Sequence, residues 1–181
     1  MGESFVNVPL NSPTRMVMHT YTLFTSPVGE LLIAATDDGL THLLFERASG
    51  GHQIHPTWRA DDGTSGRSST WIAMVRSQLT EYFDGKRITF EVPLSASGTP
   101  FQHTVWTALR AIDFGRTISY GELARRIDNE RAVRAVGLAN GRNPISIIVP
   151  CHRVIAANGA LTGYGGGLDR KQWLLTHEAS R

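Results

Sequence analysis

The feature that most constrains the fold of this chain is a change of hydrophobic period across Pro93–Pro100. Before it, Ile88, Phe90, Val92 and Leu94 occupy every second position, the spacing of a strand with one buried face. After it, Phe101, Val105, Leu109 and Ile112 recur at three- and four-residue spacing, the apolar stripe of a helix. The stretch between them carries Pro93, Ser95, Ser97, Gly98 and Pro100, which suits a linker. A length of 181 residues allows one large domain or two small ones. The change of period divides the chain into an N-terminal α/β domain at 18–94, a linker at 95–100 and a C-terminal domain at 101–181. Residues 1–17 show no period, contain Pro9, Asn11, Ser12 and Pro13, and read as a disordered extension.

In the N-terminal half, Tyr21–Thr25, Leu31–Thr36 and Leu40–Phe45 read as short strands. Ser26-Pro27 with Gly29, and Asp37-Asp38-Gly39, supply turn chemistry between them, so an antiparallel meander is expected. Arg47–Arg67 is rich in Gly, Ser, Asp and Pro and reads as a loop. Ile72, Val75, Leu79 and Tyr82/Phe83 predict a helix ended by Asp84-Gly85.

The C-terminal half reads as mostly helical. Thr99-Pro100 can start a helix, with proline in its first turn. Ser119 and Glu122 have capping-box spacing for a short helix through Ile127, and Asp128 or Asn129 can cap the next, over Arg131–Asn140. Two short helices joined by a tight turn form a helix-turn-helix pattern, with Arg131 and Arg134 on its second helix able to meet phosphates. Charge points the same way. Residues 1–99 carry 7 Lys/Arg against 10 Asp/Glu, whereas residues 100–181 carry 11 against 6. A basic half suits a polyanion such as nucleic acid, although a solvated basic surface would give the same count. No apolar run reaches membrane-span length, and no basic head precedes an apolar stretch at the N-terminus, so a cytoplasmic protein without a membrane partner is expected.

The chain has one cysteine, Cys151, which excludes an internal disulfide and makes a thiolate-rich zinc site unsuited to it. It follows the apolar run Ile145–Pro150, read as a strand, and precedes His152-Arg153. A free thiol is only a few per cent ionised at neutral pH, and a neighbouring base or cation raises that fraction. His152 could act directly or through one water. Read in isolation, Cys151 would be core filler and His152 a satisfied surface residue.

The segment Ile148-Val149-Pro150-Cys151-His152-Arg153-Val154-Ile155 resembles the active-site signature of the O6-alkylguanine-DNA alkyltransferases. The resemblance extends through Phe101-Gln102, Val105-Trp106, Ser119-Tyr120-Gly121, Arg134-Ala135-Val136-Gly137, Asn143-Pro144 and Gly163–Gly167 to Trp173-Leu174-Leu175 and His177-Glu178. It covers nearly all of residues 100–178. The N-terminal half is similar in outline to the family's ribonuclease H-like domain. The implied fold is α+β: that domain with its antiparallel sheet, then a mostly helical domain containing the helix-turn-helix.

The resemblance also implies residue roles. Cys151 is the alkyl acceptor, His152 takes its proton through a bridging water, and Glu178 orients the imidazole. Asn143 braces the turn before the cysteine. Tyr120 contacts the flipped guanine and its rotating phosphate. The carbonyls of Cys151 and Val154 accept from the guanine amino group, and Tyr164 and Gly165 belong to the loop that closes the pocket. Arg134 fills the gap in the base stack, and Ser119, Ala135 and Gly137 belong to the DNA surface. The implied partner is double-stranded DNA carrying an alkylated guanine, entered from the minor groove with little sequence preference by a protein acting as a monomer. No cofactor is implied. The substrate is O6-alkylguanine, with O4-alkylthymine a lesser one.

This chain departs from some relatives. They hold zinc in the N-terminal domain with two cysteines, which are absent here, so no metal is expected. Some carry Ser where Gly165 stands and Pro where Ser146 stands, changes that bear on pocket width. Taken singly, Tyr120 reads as a packing residue, Glu178 as a solvated helix residue, Trp58, Trp71, Trp106 and Trp173 as core aromatics, and His42, His52 and His55 as loop histidines. Gly163–Gly167 matches neither a dinucleotide-binding nor a phosphate-loop pattern. The rival readings are a lesion sensor without transfer, a Cys-His-Glu hydrolase that turns over, and a sequence-specific transcription factor.

Overall fold

In a computed structural model of the chain, residues 17–47, 49–64 and 66–180 are described. Apart from Val17, the extension expected over 1–17 lies outside them.

The two turn signals produce two hairpins. Strands β1 (Thr20–Ser26), β2 (Gly29–Thr36) and β3 (Gly39–Phe45) pair antiparallel, with Thr20 opposite Ala35 and Leu31 opposite Phe45. At the second turn Gly39 has φ +145°, and a Cβ there would lie 2.4 Å from the Pro93 carbonyl oxygen. Only glycine fits where the later chain crosses so closely. A two-residue strand, β4 (Arg59–Ala60), adds parallel to β1, giving the order β3-β2-β1-β4. It interrupts the predicted 47–67 loop, and two residues are too few to show a period. Helix α1 (Gly66–Phe83) packs on β1, β2 and β3 and buries Ile72, Val75, Leu79 and Tyr82, as its spacing predicts.

The alternating segment Ile88–Leu94 does not form the expected strand. Ile88 is exposed, and only Leu94 bridges to Leu40. The reason is a substitute partner. The Gln78 side chain on α1 accepts from Glu91 N–H at 2.9 Å and donates to Glu91 C=O at 3.2 Å. One side-chain amide thus satisfies the peptide that a neighbouring strand would serve.

Helix α2 (Pro100–Arg110) opens with a complete capping box between Thr99 and Gln102 and buries Val105, Trp106 and Leu109. The predicted box at Ser119 forms by half. Ser119 Oγ accepts from Glu122 N–H at 3.1 Å, but the Glu122 carboxylate is taken by Arg125 and Arg126. Helix α3 (Tyr120–Arg126) follows β5 (Ile118–Ser119). Helix α4 (Val133–Gly141) begins later than expected, because Glu130–Ala132 form a separate 3-10 turn with no side-chain cap from Asn129. Arg131 therefore sits on that turn, and Arg134 on the helix. Strand β6 (Val154–Ile155) pairs parallel with β5, and α5 (Leu168–Ala179) completes the domain.

The apolar run Ile145–Pro150 is not a strand either. Ile145 makes a single bridge to Leu43 of β3, flanked by Leu43 N–H to Pro144 C=O and Ser146 N–H to Leu43 C=O, both 2.9 Å. The chain then turns, with Ile147 at φ +68°. This contact docks the segment before Cys151 onto the N-terminal sheet, and one continuous core spans both halves. No helix among the described residues is long and apolar enough to cross a membrane.

Candidate active site

Cys151 opens a 3-10 turn, Cys151–Arg153, between Pro150 and β6, and is buried. It lines a cavity of about 210 Å³ together with Leu44 and Phe45 from β3, Asn140 and Asn143 from the end of α4 and beyond, and Gly163–Gly166. Both halves of the chain therefore build this wall. Asn143 braces the turn that presents the thiol. Its amide nitrogen donates to Val149 C=O at 2.7 Å, to Ile145 C=O at 3.3 Å and to Cys151 Sγ at 3.1 Å, while its oxygen accepts from Ile145 N–H at 3.0 Å.

Burial pushes the Cys151 thiol up from its ordinary value, against the Asn143 hydrogen bond and the charge of Lys171, which pull it down. In the closed pocket the sulfur rests as a thiol, with a donor already aimed at it to hold the anion once formed. Lys171 is wholly buried and donates from Nζ to Val154 C=O at 2.6 Å and Thr162 C=O at 3.1 Å. The Val154 carbonyl thus keeps one lone pair for another donor. The Tyr164 hydroxyl is buried beside Ser146 and Cys151 without completing a hydrogen bond.

His152 and Glu178 meet in the interior, Nε2 to Oε1 at 2.9 Å, with neither side chain exposed by more than 1%. Burial lowers the imidazole below 6.5, against the pull of Glu178, so His152 is neutral. A neutral ring bonded to a carboxylate carries its proton on Nε2, which leaves Nδ1 as a lone pair. Nδ1 is buried and makes no hydrogen bond to any described residue. Glu178 is held by more than histidine. Arg153 grips it, Tyr82 Oη donates at 2.9 Å and Gly115 N–H at 3.2 Å. Burial alone would raise this carboxyl, but hydrogen bonds from His152 and Arg153 outweigh it and hold the group well below the usual carboxylate range.

The loop over the cavity is tied to both domains. A Cβ on Gly166 would lie 2.5 Å from the Phe45 ring, so only glycine admits that approach. Arg170 on α5 donates to Gly166 C=O at 3.1 Å, to Glu46 C=O at 2.9 Å and to Val28 C=O at 2.8 Å. A Cβ on Gly165 would meet nothing nearer than Gly141 C=O at 4.0 Å, so a serine fits there sterically.

Tyr120 is half-buried at the start of α3; its hydroxyl reaches Thr162 C=O at 3.5 Å, and Gly137 of α4 lies against its ring. Ser119 spends its hydroxyl on capping α3. Arg134 and Ala135 are exposed on α4. Sequence reasoning gave no role to Arg153, Tyr82, Lys171, Asn140 or Arg170. Arg153 lies inside the segment Ile148–Ile155, where the sequence marks it only as a nearby cation. His42 is on β3, tilted against Trp58, which also stacks on His19. Trp58 thereby pins the loop to the sheet. Among the described residues no three His, Cys, Asp or Glu are placed to hold a metal.

A buried thiol on a braced turn and a neutral histidine held by a carboxylate share their half of the chain with a helix-turn-helix, the architecture of a DNA-binding protein with a histidine–carboxylate pair next to its one cysteine. Residues 100–180 match the 6-O-methylguanine DNA methyltransferase DNA-binding domain, and residues 19–96 match the ribonuclease-like domain of the same proteins. The methylated-DNA–protein-cysteine methyltransferase of Methanosarcina acetivorans is 46% identical over 160 residues, 88% of this chain and 98% of that one. The crystal structure of Mycobacterium tuberculosis O6-methylguanine methyltransferase superposes with a TM-score of 0.77 at 46% identity, covering 91% of this chain and 94% of that one. Mycobacterium tuberculosis OGT in complex with DNA gives 0.78 at 46% identity, over 89% and 93% of the two chains. The chain belongs to the methylated-DNA–protein-cysteine methyltransferase family.

Proposed function

We propose that Cys151 is the alkyl acceptor of a single-turnover DNA repair reaction on O6-alkylguanine, O6-methylguanine first, with O4-alkylthymine a lesser substrate. The observation that carries this reading is the cavity with Cys151 in its wall and the Asn143 N–H on its sulfur. His152 Nδ1 takes the thiol proton through one bridging water, and Glu178, held as an anion, stabilises the imidazolium. The thiolate attacks the alkyl carbon in line. A carbon–sulfur bond forms, the bond from carbon to guanine O6 breaks, and the departing base takes up a proton. Tyr120 passes its hydroxyl proton to the ring and regains one from the His152 imidazolium through water, so the thiol proton ends on guanine; burial raises the hydroxyl above 10.0, so it is protonated when the base arrives. The product is a thioether that nothing in this site can hydrolyse, so each molecule acts once.

The lesion sits inside a duplex and must be turned out, at a cost of about a few kcal/mol. Arg134, exposed on α4, fills the vacated stack, and the small residues Ala135 and Gly137 permit close approach in the minor groove. The protein acts as a monomer in the cytoplasm, on the nucleoid in a bacterium, with contacts mainly to phosphates and little base preference. Intact mass before and after an O6-methylguanine duplex tests the reading. One added methyl group, mapped to Cys151 and absent in Cys151→Ala, is expected; an unmodified thiol or continued turnover refutes it.

A further inference from the structure

Asn140 stands in the last turn of α4, 2% exposed, and lines the same cavity as Cys151. Its Nδ2 donates to Cys151 C=O at 3.5 Å. A backbone carbonyl only accepts, so the amide nitrogen must face it and Oδ1 is turned away from it. That oxygen is buried and accepts no hydrogen bond from any described residue. Such atoms are rare in folded proteins and call for a donor.

The base that enters the cavity has one donor group to offer. In O6-alkylguanine the oxygen is alkylated, and N1, N3 and N7 only accept, so the 2-amino group is its sole base donor. O4-alkylthymine has none. The backbone acceptors in this wall are engaged, Cys151 C=O by both Val154 N–H and Asn140, and Val154 C=O in part by Lys171 at 2.6 Å. We infer that Asn140 Oδ1 accepts one N–H of the flipped guanine's 2-amino group in place of the filled Cys151 carbonyl, leaving the other N–H to Val154 C=O, and makes Asn140 a specificity-determining residue for guanine over thymine lesions. A thymine in the pocket leaves that oxygen buried and unpaired, which a guanine does not. The inference rests on the reading of the cavity as the lesion pocket.

The test compares single-turnover rate constants on duplexes carrying O6-methylguanine, O6-methylhypoxanthine, which differs only by lacking the amino group, and O4-methylthymine. Wild-type protein should prefer O6-methylguanine over both. In Asn140→Leu and Asn140→Ala that preference should shrink by about three- to tenfold, the worth of one hydrogen bond to a buried neutral group. Asn140→Ala only truncates the side chain and carries the comparison should leucine fail to pack. An unchanged ratio in a folded variant, or equal wild-type rates on the two purines, overturns the assignment. Wild-type protein that takes no methyl from O6-methylguanine overturns the reading of the cavity itself.

Discussion

Arg153 holds Glu178 with two guanidinium nitrogens, Nε 2.7 Å from Oε2 and a terminal nitrogen 3.0 Å from Oε1. The other terminal nitrogen donates to Ile112 C=O at 2.6 Å. Arg153 is therefore a positioning residue for the carboxylate that fixes His152. Removing one member of a buried ion pair leaves the other unpaired and costs about 3–5 kcal/mol. Arg153→Met should lower stability to urea by that order, and Arg153→Lys should recover little of it, because a point charge cannot reproduce the fork. Restoration by lysine would show that charge alone matters here.

The same cluster contributes to the response to acid, together with His42, which burial lowers to about 4. Glu178 has its folded value held below the ordinary 4.5, so its contribution is full above 4.5 and is lost as pH falls through the folded value. His152 has its folded value held below 6.5, so the unfolded chain binds a proton there before the folded one does. Stability should therefore decline as pH drops below 6.5 and again below 4.5. Urea midpoints measured across this range check the sign. A flat profile between the two values would exclude a buried neutral His152.

Lys171 lies close enough for its charge to pull the Cys151 thiol down, while Nζ joins Val154 to the loop at Thr162. Lys171→Met should shift the Cys151 titration upward, seen as a several-fold slower reaction with iodoacetamide at fixed pH. The rates should converge at alkaline pH, where both thiols are ionised. A variant that is slow at every pH would instead mean that only the loop had moved.

Arg134 acts after the base has left the stack, so its effect belongs to duplex substrates. Arg134→Ala should slow repair of a lesion in duplex DNA about tenfold or more, given the cost of unstacking, and leave reaction with the free base O6-benzylguanine nearly unchanged. Equal slowing on both would remove the stack-filling role.

The hairpins, α1, α2 and the paired helices were legible because turn residues and hydrophobic period are local signals, as Asp37-Asp38-Gly39 and Phe101–Ile112 illustrate. The failures share one cause. At Ile88–Leu94 and Ile145–Pro150 the apolar pattern is real, but side chains take up the backbone groups, Gln78 from the preceding helix in one case and the adjacent Asn143 in the other. Local period cannot announce such partners. The site divides in the same way. Cys151, His152, Asn143 and Glu178 were reached through a shared signature, and the geometry brings them together. Tyr82, 96 positions from Glu178, and Asn140 have no pattern that marks them. Lys171 looks like any helix-surface lysine until the fold buries it.

Arg170 bears on how the pocket loop is held shut. Its guanidinium spans three segments, Val28 in the first turn, Glu46 after β3 and Gly166 in the loop, and lies 5.3 Å from the Phe45 ring centroid. Phe45 is itself in the cavity wall. Arg170→Ala should cost about 1–3 kcal/mol, in the range for hydrogen bonds from a charged group. It should also raise hydrogen exchange at Gly163–Gly167 and quicken modification of Cys151 by iodoacetamide. Lysine cannot reach three diverging carbonyls from one nitrogen, so Arg170→Lys should resemble the alanine variant. If the loop stays protected while stability falls, Arg170 joins the domains and the loop is closed by Phe45 and Lys171 without it.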